Sequence, residues 1–262
     1  ELNYFVELGR FPGFGDGDGT FTTAATAQSA YRSPLLTWNG WNNGTVRGAI
    51  GVDRFVLRME RGNGRLSLGR FPITLTTSTL ITPNDFFAPF GATAVNRIYK
   101  PGVDGARFEY ALRPFVTLDL MGVLGNDEEG DPTWTDSALL ASLNLVAGGY
   151  EIRVVGGKVS RRWVAGASIQ GSAGPVHLHA EGHVSARDRD SNGQLDPQPW
   201  GGKLAAGPSI SWPWKNLSVG VEYAYLSDGG ATPADYLQVQ AEQSPDALPY
   251  LGRHYLSAFV GA

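Results

Sequence analysis

The sequence of 262 residues contains no cysteine, and its apolar runs are short. The first absence excludes disulfide bonds and any metal or catalytic site built on a thiolate. The second excludes a helical membrane protein, because a spanning helix needs about 20 consecutive apolar residues. A formal net charge of −4 does not favour nucleic acid as a partner. A signal peptide is also missing, since residues 2–9 already alternate like a strand, and we expect a mature or trimmed chain.

Glycine and aromatic residues are abundant, with 35 glycines and an aromatic share of 11%. Around the tight break at Arg113 and Pro114, apolar and polar side chains alternate with a period of two. In the first run the apolar residues are Ala106, Phe108, Tyr110 and Leu112, and the polar ones are Arg107, Glu109 and Arg113. This period is typical of a β-strand with one apolar and one polar face, so residues 102–124 are predicted to form a hairpin.

About twelve segments of this kind follow one another, each close to the roughly 9–11 residues of a tilted membrane strand. Short turns alternate with long loops, and the long loops are 10–48, 74–101, 125–137, 188–199 and 228–251. This sorting is typical of outer-membrane barrels, whereas a soluble β-sandwich has no reason to sort its loops by length. We therefore predict an all-β fold, a single antiparallel up-and-down transmembrane β-barrel of about twelve strands that covers residues 1–262.

Charged side chains recur in the middle of the polar strand faces, which would line the lumen of a barrel. They are Arg54, Arg58, Arg107, Glu109, Asp119, Glu151, Arg153, Glu181, Arg187 and Glu222. One interpretation is a lattice of cross-strand ion pairs that stiffens and fills a narrow barrel. The other is a solute pathway, since a barrel of about 8 strands is filled by side chains and one of about 16–18 encloses a channel.

Loop 74–101 is the candidate constriction, because a long loop between barrel strands can fold inward and narrow a pore. Asp85, Arg97 and Lys100 would then place both signs of charge in the pathway. The alternative is an outer loop that packs on its own Phe86, Phe87 and Phe90. With the loop folded inward, the predicted pore residues are Asp85, Arg97, Lys100, Arg107, Glu109, Asp119, Arg153 and Glu181.

The most specific motif lies in loop 188–199, where residues 188–196 match the first nine positions of an EF-hand calcium loop. The matching ligand positions are Asp188, Asp190, Asn192 and Asp196. The twelfth position is Pro199 instead of a glutamate, so a calcium site would be incomplete unless another loop contributes a ligand. An acidic turn without metal is the alternative, and no other cofactor is predicted.

Three histidines, His177, His179 and His183, share a strand face with Glu181. Residues two apart on a strand lie about 6.8 Å apart, so these side chains do not converge on one metal ion without help from neighbours. A polar lumen lining is the alternative interpretation. The sequence has neither a Gly-x-Ser-x-Gly nor a His-Glu-x-x-His motif, and we do not predict an enzyme.

Three stretches resemble porin-like outer-membrane barrels of Gram-negative bacteria. They are Gly-Arg-Phe-Pro at 69–72, Thr-Pro-Asn-Asp-Phe-Phe-Ala-Pro-Phe at 82–90 and Arg-Ile-Tyr-Lys-Pro-Gly-Val-Asp at 97–104. The resemblance implies a barrel in the cell outer membrane, in contact with the lipid bilayer and lipopolysaccharide. From the lumen charges and the inward loop we expect a channel for passive diffusion of small hydrophilic solutes. The alternative is a structural barrel with a plugged lumen that anchors a partner complex of the cell envelope.

Overall fold

The computed structural model describes residues 2–10, 30–42, 46–87, 100–127, 129–186, 200–212, 217–237, 239 and 250–261, and these residues contain thirteen strands. The strands are β1 (Leu2–Arg10), β2 (Thr37–Asn42), β3 (Val46–Arg61), β4 (Gly64–Phe71), β5 (Val103–Arg113), β6 (Val116–Asn126), β7 (Pro132–Ala147), β8 (Tyr150–Val159), β9 (Arg162–Ala173), β10 (Val176–Ala186), β11 (Trp200–Trp212), β12 (Leu217–Leu226) and β13 (His254–Gly261). Short 3₁₀ turns lie at Pro34–Leu36 and Pro233–Asp235. Over the same residues, the chain has no helix with the length and apolar character needed to cross a membrane.

Twelve of the strands follow one another in a single antiparallel sheet, in the order β1, β3, β4 and then in chain order to β13. Strand β2 lies outside this path and pairs with residues 47–51 of β3, beyond the point where β4 has ended. The up-and-down order confirms the predicted all-β antiparallel architecture of about twelve strands. Within the described part of the chain, no ladder joins β1 to β13.

Two of the predicted loop boundaries are wrong. Strand β2 lies inside the predicted loop 10–48, where a register shift between Asn39 and Trp41 breaks the alternation that would have revealed it. The predicted loop 125–137 shrinks to residues 127–131, because β6 and β7 both extend into it. Their ladder is interrupted between Val123 and Gly125, which again hides the period of two.

The two faces of the sheet differ in character. On β10, Leu178 and Val184 are exposed, whereas His179, Glu181 and Ser185 on the opposite face are buried. The same outward apolar row continues on the other strands through Leu57, Phe108, Leu120, Leu139, Leu143, Ile152, Val154, Ile169, Leu204, Val219 and Val221. Alternation with the apolar residues outside is the inverse of a soluble sandwich and is typical of a membrane barrel.

Exposed aromatic side chains mark both ends of the strands. Trp163 of β9 and Trp200 of β11 lie at one level, because each pairs with Ala186 of β10. Aromatic residues at two levels of an apolar surface are typical of the girdles at membrane–water interfaces. The exposed residues near the long loops are Trp134, Trp163 and Trp200, and those near the short turns are Tyr110, Phe115 and Trp212.

The inner face is not uniformly polar, in contrast to the prediction for the lumen. Met121 and Val123 of β6 share the inward face with Asp119, and all three are buried. Together with residues from neighbouring strands they form an apolar patch whose other members are Leu140, Val155 and Val164. Such a patch would be unfavourable in a wet lumen, and it is covered by residues that follow β4.

Candidate functional site: a loop across the inner face

Residues 72–87, here called the inner loop, cross the concave side of the sheet. Ile73, Leu75 and Phe87 pack against the apolar patch of β6 to β9. Farther along, Ile81 packs against a second cluster formed by β11 and β12, whose members are Ala205, Ala224 and Leu226. Of the two alternatives for loop 74–101, the structure therefore supports the inward one for its described residues. Phe87 packs inside the sheet and not only on its own loop.

Glu181 of β10 holds the first half of the inner loop. Its carboxylate is buried and accepts a hydrogen bond of 2.8 Å from Thr76 Oγ1 and further bonds from the backbone N–H groups of Thr77 and Ser78. The Asn84 backbone N–H returns to the same carboxylate at 3.2 Å. Donors from residues 76–78 and from Asn84 thus meet on one carboxylate.

Glu222 of β12 holds the middle of the inner loop and has no solvent exposure. Its carboxylate accepts hydrogen bonds from three successive backbone N–H groups, those of Thr79 at 2.9 Å, Leu80 at 3.3 Å and Ile81 at 2.6 Å. His179 of β10 approaches the same carboxylate at 2.9 Å. Hydrogen bonds to a charged acceptor are about twice as strong as neutral ones, so this contact fixes the loop firmly.

Small residues on β11 make room for this arrangement. Ala205 is fully buried between the strands that carry Glu181 and Glu222. At Gly207, a Cβ atom would lie 2.0 Å from the Val221 carbonyl oxygen, so any larger residue must displace the backbone. The side chains of β10 and β12 can therefore meet across β11, and the inner loop can approach the wall between them.

Lys100 and Asp85 form a buried ion pair at the other end of the inner loop. The Lys100 ammonium also donates to the Ile73 carbonyl oxygen, which ties the start of the inner loop to the residue that precedes β5 by three positions. Burial lowers the pKa of Lys100 below its ordinary value, and the charge and hydrogen bond of Asp85 offset only part of this effect. Arg54 donates to the Lys100 carbonyl oxygen at 3.1 Å and joins β3 to the same point.

Asn84 adds a second polar attachment. Its amide Nδ2 donates to the Ala167 carbonyl oxygen of β9 at 3.1 Å, and its Oδ1 lies 3.3 Å from His183 Nδ1. Phe86 packs against the same histidine, with 5.1 Å between the ring centroids. His179 and His183 are thus both engaged by the loop or its carboxylates. The described residues contain no group of three or more side chains suited to hold a metal ion.

A buried charge cluster fixes the segment before β2 to the end of β4. Arg70 has no exposed side-chain surface and binds Asp104 through two bonds of 2.6 and 2.7 Å. Arg70 also donates to the Ser33 carbonyl oxygen, and the Ser33 N–H donates to Asp104 at 2.6 Å. Next to it, Tyr31 meets Phe87 of the inner loop edge to face, with 5.1 Å between the ring centroids. A second segment thus supports the inner loop from the long-loop side.

An ionic lattice lines the inner face between the inner loop and the short turns. Arg107 of β5 binds Asp119 of β6 at 2.9 Å and approaches Glu109 at 3.3 Å. Glu151 of β8 accepts from Gln170 at 2.8 Å and from Arg153 at 3.3 Å. Where the lattice meets the start of the inner loop, a pocket of about 180 Å³ is lined by Arg58, Arg65, Ser67, Phe71, Pro72, Arg107 and Glu109.

The structure places the described members of the predicted site in four separate arrangements. Asp85 and Lys100 form one ion pair, and Arg107, Glu109 and Asp119 form one cluster. Arg153 pairs with Glu151, whereas Glu181 binds the inner loop. The remaining residues lie outside the described part of the chain, and their roles stay predictions: Arg97, Arg187 and the calcium candidates Asp188, Asp190, Asn192 and Asp196.

Sequence reasoning does not reveal that Glu222, supported by His179, binds the inner loop. Both residues are predicted to face inward, but the loop partners of Glu222 are backbone N–H groups, which every residue except proline carries. The polar run of Thr76, Thr77, Ser78 and Thr79 was the available signal. A polar stretch between Leu75 and Leu80 suits a segment that binds carboxylates in its middle and apolar surface at its ends.

The sequence matches no protein-family model and no curated protein. Among solved structures, the chain is similar to OccK11 (OpdR) of Pseudomonas aeruginosa, with 12% identity and a TM-score of 0.44 over 65% of this chain and 47% of that one. The chain is also similar to OccK8 (OprE) of Pseudomonas aeruginosa, with 11% identity and a TM-score of 0.44 over 65% of this chain and 49% of that one. For OccAB1 of Acinetobacter baumannii the identity is 13% and the TM-score 0.46, over 82% of this chain and 55% of that one.

These three proteins are outer-membrane porins. The chain spans about half the length of the structures it matches, between 47% and 55%. The likeness concerns the course of the strands, and the architecture of this chain rests on its own strand order and ladders.

Proposed function

We propose that the chain forms a porin-like channel in the outer membrane for passive diffusion of small hydrophilic solutes, with the inner loop as its constriction. The observation that carries the proposal is the combination of an apolar outer face with an ionic inner face. Leu178 and Val184 point out of β10 while Glu181 points in. Lipid on one side and water on the other favour this distribution.

The depth of the apolar face agrees with a bilayer. From Trp134 to Leu145 on β7 the chain covers roughly 36 Å at about 3.3 Å per residue, or about 26 Å when a strand tilts by about 45°. This height is close to the apolar band of roughly 25 Å in outer-membrane barrels. Contact with lipopolysaccharide and with envelope proteins remains a prediction.

The ionic lattice supports a hydrophilic pathway. Arg107, Glu109 and Asp119 offer both signs of charge to a passing solute while they pair with one another. A wall with charges of both signs can contact polar solutes that carry either positive or negative charge. We propose no chemical reaction for the chain. In this proposal, the predicted pore residues that lie in the described part of the chain line the pathway, either in the lattice or at the inner loop.

The alternative of a structural barrel with a plugged lumen is favoured by one observation. Ile73, Ile81 and Phe87 of the inner loop are each only 1% exposed. A loop packed so completely could close the lumen, and the chain would then serve to anchor partners in the envelope. The two functions differ in a measurable way, since only the channel lets solutes pass.

Swelling of proteoliposomes in sugars of increasing size tests the proposal. We expect swelling with a pentose and slower swelling with a disaccharide. Arg107→Gln should change this ratio because Arg107 lines the pathway, whereas Phe108→Leu on the outer face of the same strand is the matched control. Folded protein that admits not even the pentose would contradict the channel and favour the plugged barrel.

A further inference from the structure

The inner loop is held by negative charge that has little positive charge against it. Glu181 accepts from the hydroxyl and N–H groups of Thr76, Thr77, Ser78 and Asn84. Glu222 accepts from three N–H groups and contacts His179. Among the described residues, no lysine or arginine lies within ion-pair distance of either carboxylate. The positive charge of Lys100 acts on Glu181 only from beyond ion-pair distance. Carboxylates buried in a membrane protein without a lysine or arginine partner are costly and point to a function.

We propose that residues 76–84 form a gate, that its latch is the negative charge of Glu181 and Glu222, and that neutralising both carboxylates opens the channel. The proposal rests on the channel function and adds a means of control to it. The ends of the inner loop stay in place through Ile73, Leu75 and Phe87 in their apolar cluster. Between them, the two carboxylates bind the backbone N–H groups of residues 77–81, and Ile81 and the Asn84 side chain provide further contacts. Without the charge of the carboxylates, this segment is held more weakly and can move.

The chemistry of a carboxyl group gives the reason. An ionised carboxylate has two oxygens that only accept hydrogen bonds, which suits a surrounding made of N–H and O–H donors. A proton on either oxygen places a donor against the donors of Thr77 and Ser78, or against those of Thr79 and Ile81. It also removes the charge that makes the remaining bonds strong. Removing the charge of both carboxylates should therefore release the gate.

The other titratable groups around the latch modify this response without replacing it. His179 contacts Glu222, and a positive charge on this ring attracts the ionised carboxylate, so protonation of the histidine alone does not open the gate. His177 lies beside His179, and His183 contacts Asn84. Tyr250 donates to the Leu80 carbonyl oxygen, with Tyr255 packed on its ring.

The last charged groups near the latch are Lys100 and Asp85, which form an ion pair at the end of the inner loop. Protonation of Asp85 removes the attraction between the two side chains and so acts in the same direction as protonation of the latch. Lys203 pairs with Asp228 at the long-loop end of β11 and β12. Loss of carboxylate charge at Glu181, Glu222 or Asp85 thus weakens the attachment of the inner loop in each case.

Single-channel recording at about pH 7 tests the gate. The variant Glu181→Gln with Glu222→Gln keeps the side-chain shape and removes the charge. We expect its conductance to exceed that of the wild type about twofold or more, because a wider constriction passes more ions.

Glu129→Gln is the matched control, since Glu129 is an exposed carboxylate between β6 and β7 that belongs to neither the lattice nor the inner loop. It should behave like the wild type. If the double variant does not fold, Thr79→Pro removes one N–H donor to Glu222 from the loop side and should raise the conductance in the same direction.

The outcomes separate the gate from the channel. A wild type that conducts, with an unchanged conductance in the folded Gln variant at pH 7, overturns the gate and leaves the channel standing. Silence of the folded wild type and of all variants overturns the channel, and the gate with it.

Discussion

His179 Nε2 lies 2.9 Å from Glu222 Oε2, although β11 separates the strands that carry the two residues. The contact spans two strand spacings because the inward residues of β11 are small, with Ala205 and Gly207 between the partners. It fixes the carboxylate that binds the middle of the inner loop. The position of the loop therefore depends on three neighbouring strands at once.

Loss of the histidine should weaken this arrangement. In His179→Ala, Glu222 loses its side-chain partner in a site without solvent exposure. We expect the free energy of unfolding in vesicles to fall by about 1–3 kcal/mol, the usual cost of an unsatisfied buried group. His177→Ala on the same strand face is the control and should cost less, because His177 is not fully buried. Equal losses in the two variants would contradict the assigned role of His179.

The buried ion pair of Lys100 and Asp85 should show strong coupling. Lys100→Met leaves the Asp85 carboxylate and the Ile73 carbonyl oxygen without their ammonium donor, and we expect a loss of about 3–5 kcal/mol. Combining it with Asp85→Leu should restore much of this loss, because the uncompensated charge is gone. A double-mutant cycle on unfolding free energies measures the coupling. Additive losses would show that the two side chains do not depend on each other.

Gly207 should be intolerant of any side chain. Its Cβ would meet the Val221 carbonyl oxygen at 2.0 Å, so Gly207→Ala must displace β11 or β12. We expect a loss of about 1–3 kcal/mol, as for other overpacked sites. Gly202→Ala on the same strand is the control, because its nearest neighbour would lie at 3.6 Å. A Gly207 variant as stable as the Gly202 variant would argue against the close approach of the two strands.

A charged residue introduced on the outer face should destabilise the protein more the closer it lies to the bilayer midplane. Ala180 lies on the outward row of β10 between Leu178 and Val184, and Ala180→Arg should cost roughly 2–4 kcal/mol if it lies near the bilayer midplane. The same change at Ala147, beside a short turn, should cost about 0–1 kcal/mol. Refolding into vesicles under urea gives both values. Similar costs at the two positions would contradict the proposed orientation in the membrane.

The alternation of side chains was enough to predict most of the sheet. The runs around Arg113 and Pro114 and along β10 predicted strands, faces and turns that the structure contains. The inward loop was one of two open alternatives, and the Asp85–Lys100 contact agrees with the inward one. These features follow from local patterns, which is why a single sequence reveals them.

The remainder depends on contacts that leave no local pattern. Strand β2 has no clean period of two and is formed by pairing with β3. Met121 and Val123 lie on a face that Asp119 marks as polar, and only the apolar end of the inner loop explains them. The grip of Glu181 and Glu222 uses backbone donors more than one hundred residues away in the chain.

Single-channel recording of the purified wild-type chain in a planar bilayer tests the central claim most directly. Insertion should first be verified by the heat-dependent mobility of the folded barrel on a gel. The account predicts stepwise currents at about pH 7. Folded, inserted protein that passes no current would contradict it and leave a plugged structural barrel as the better description.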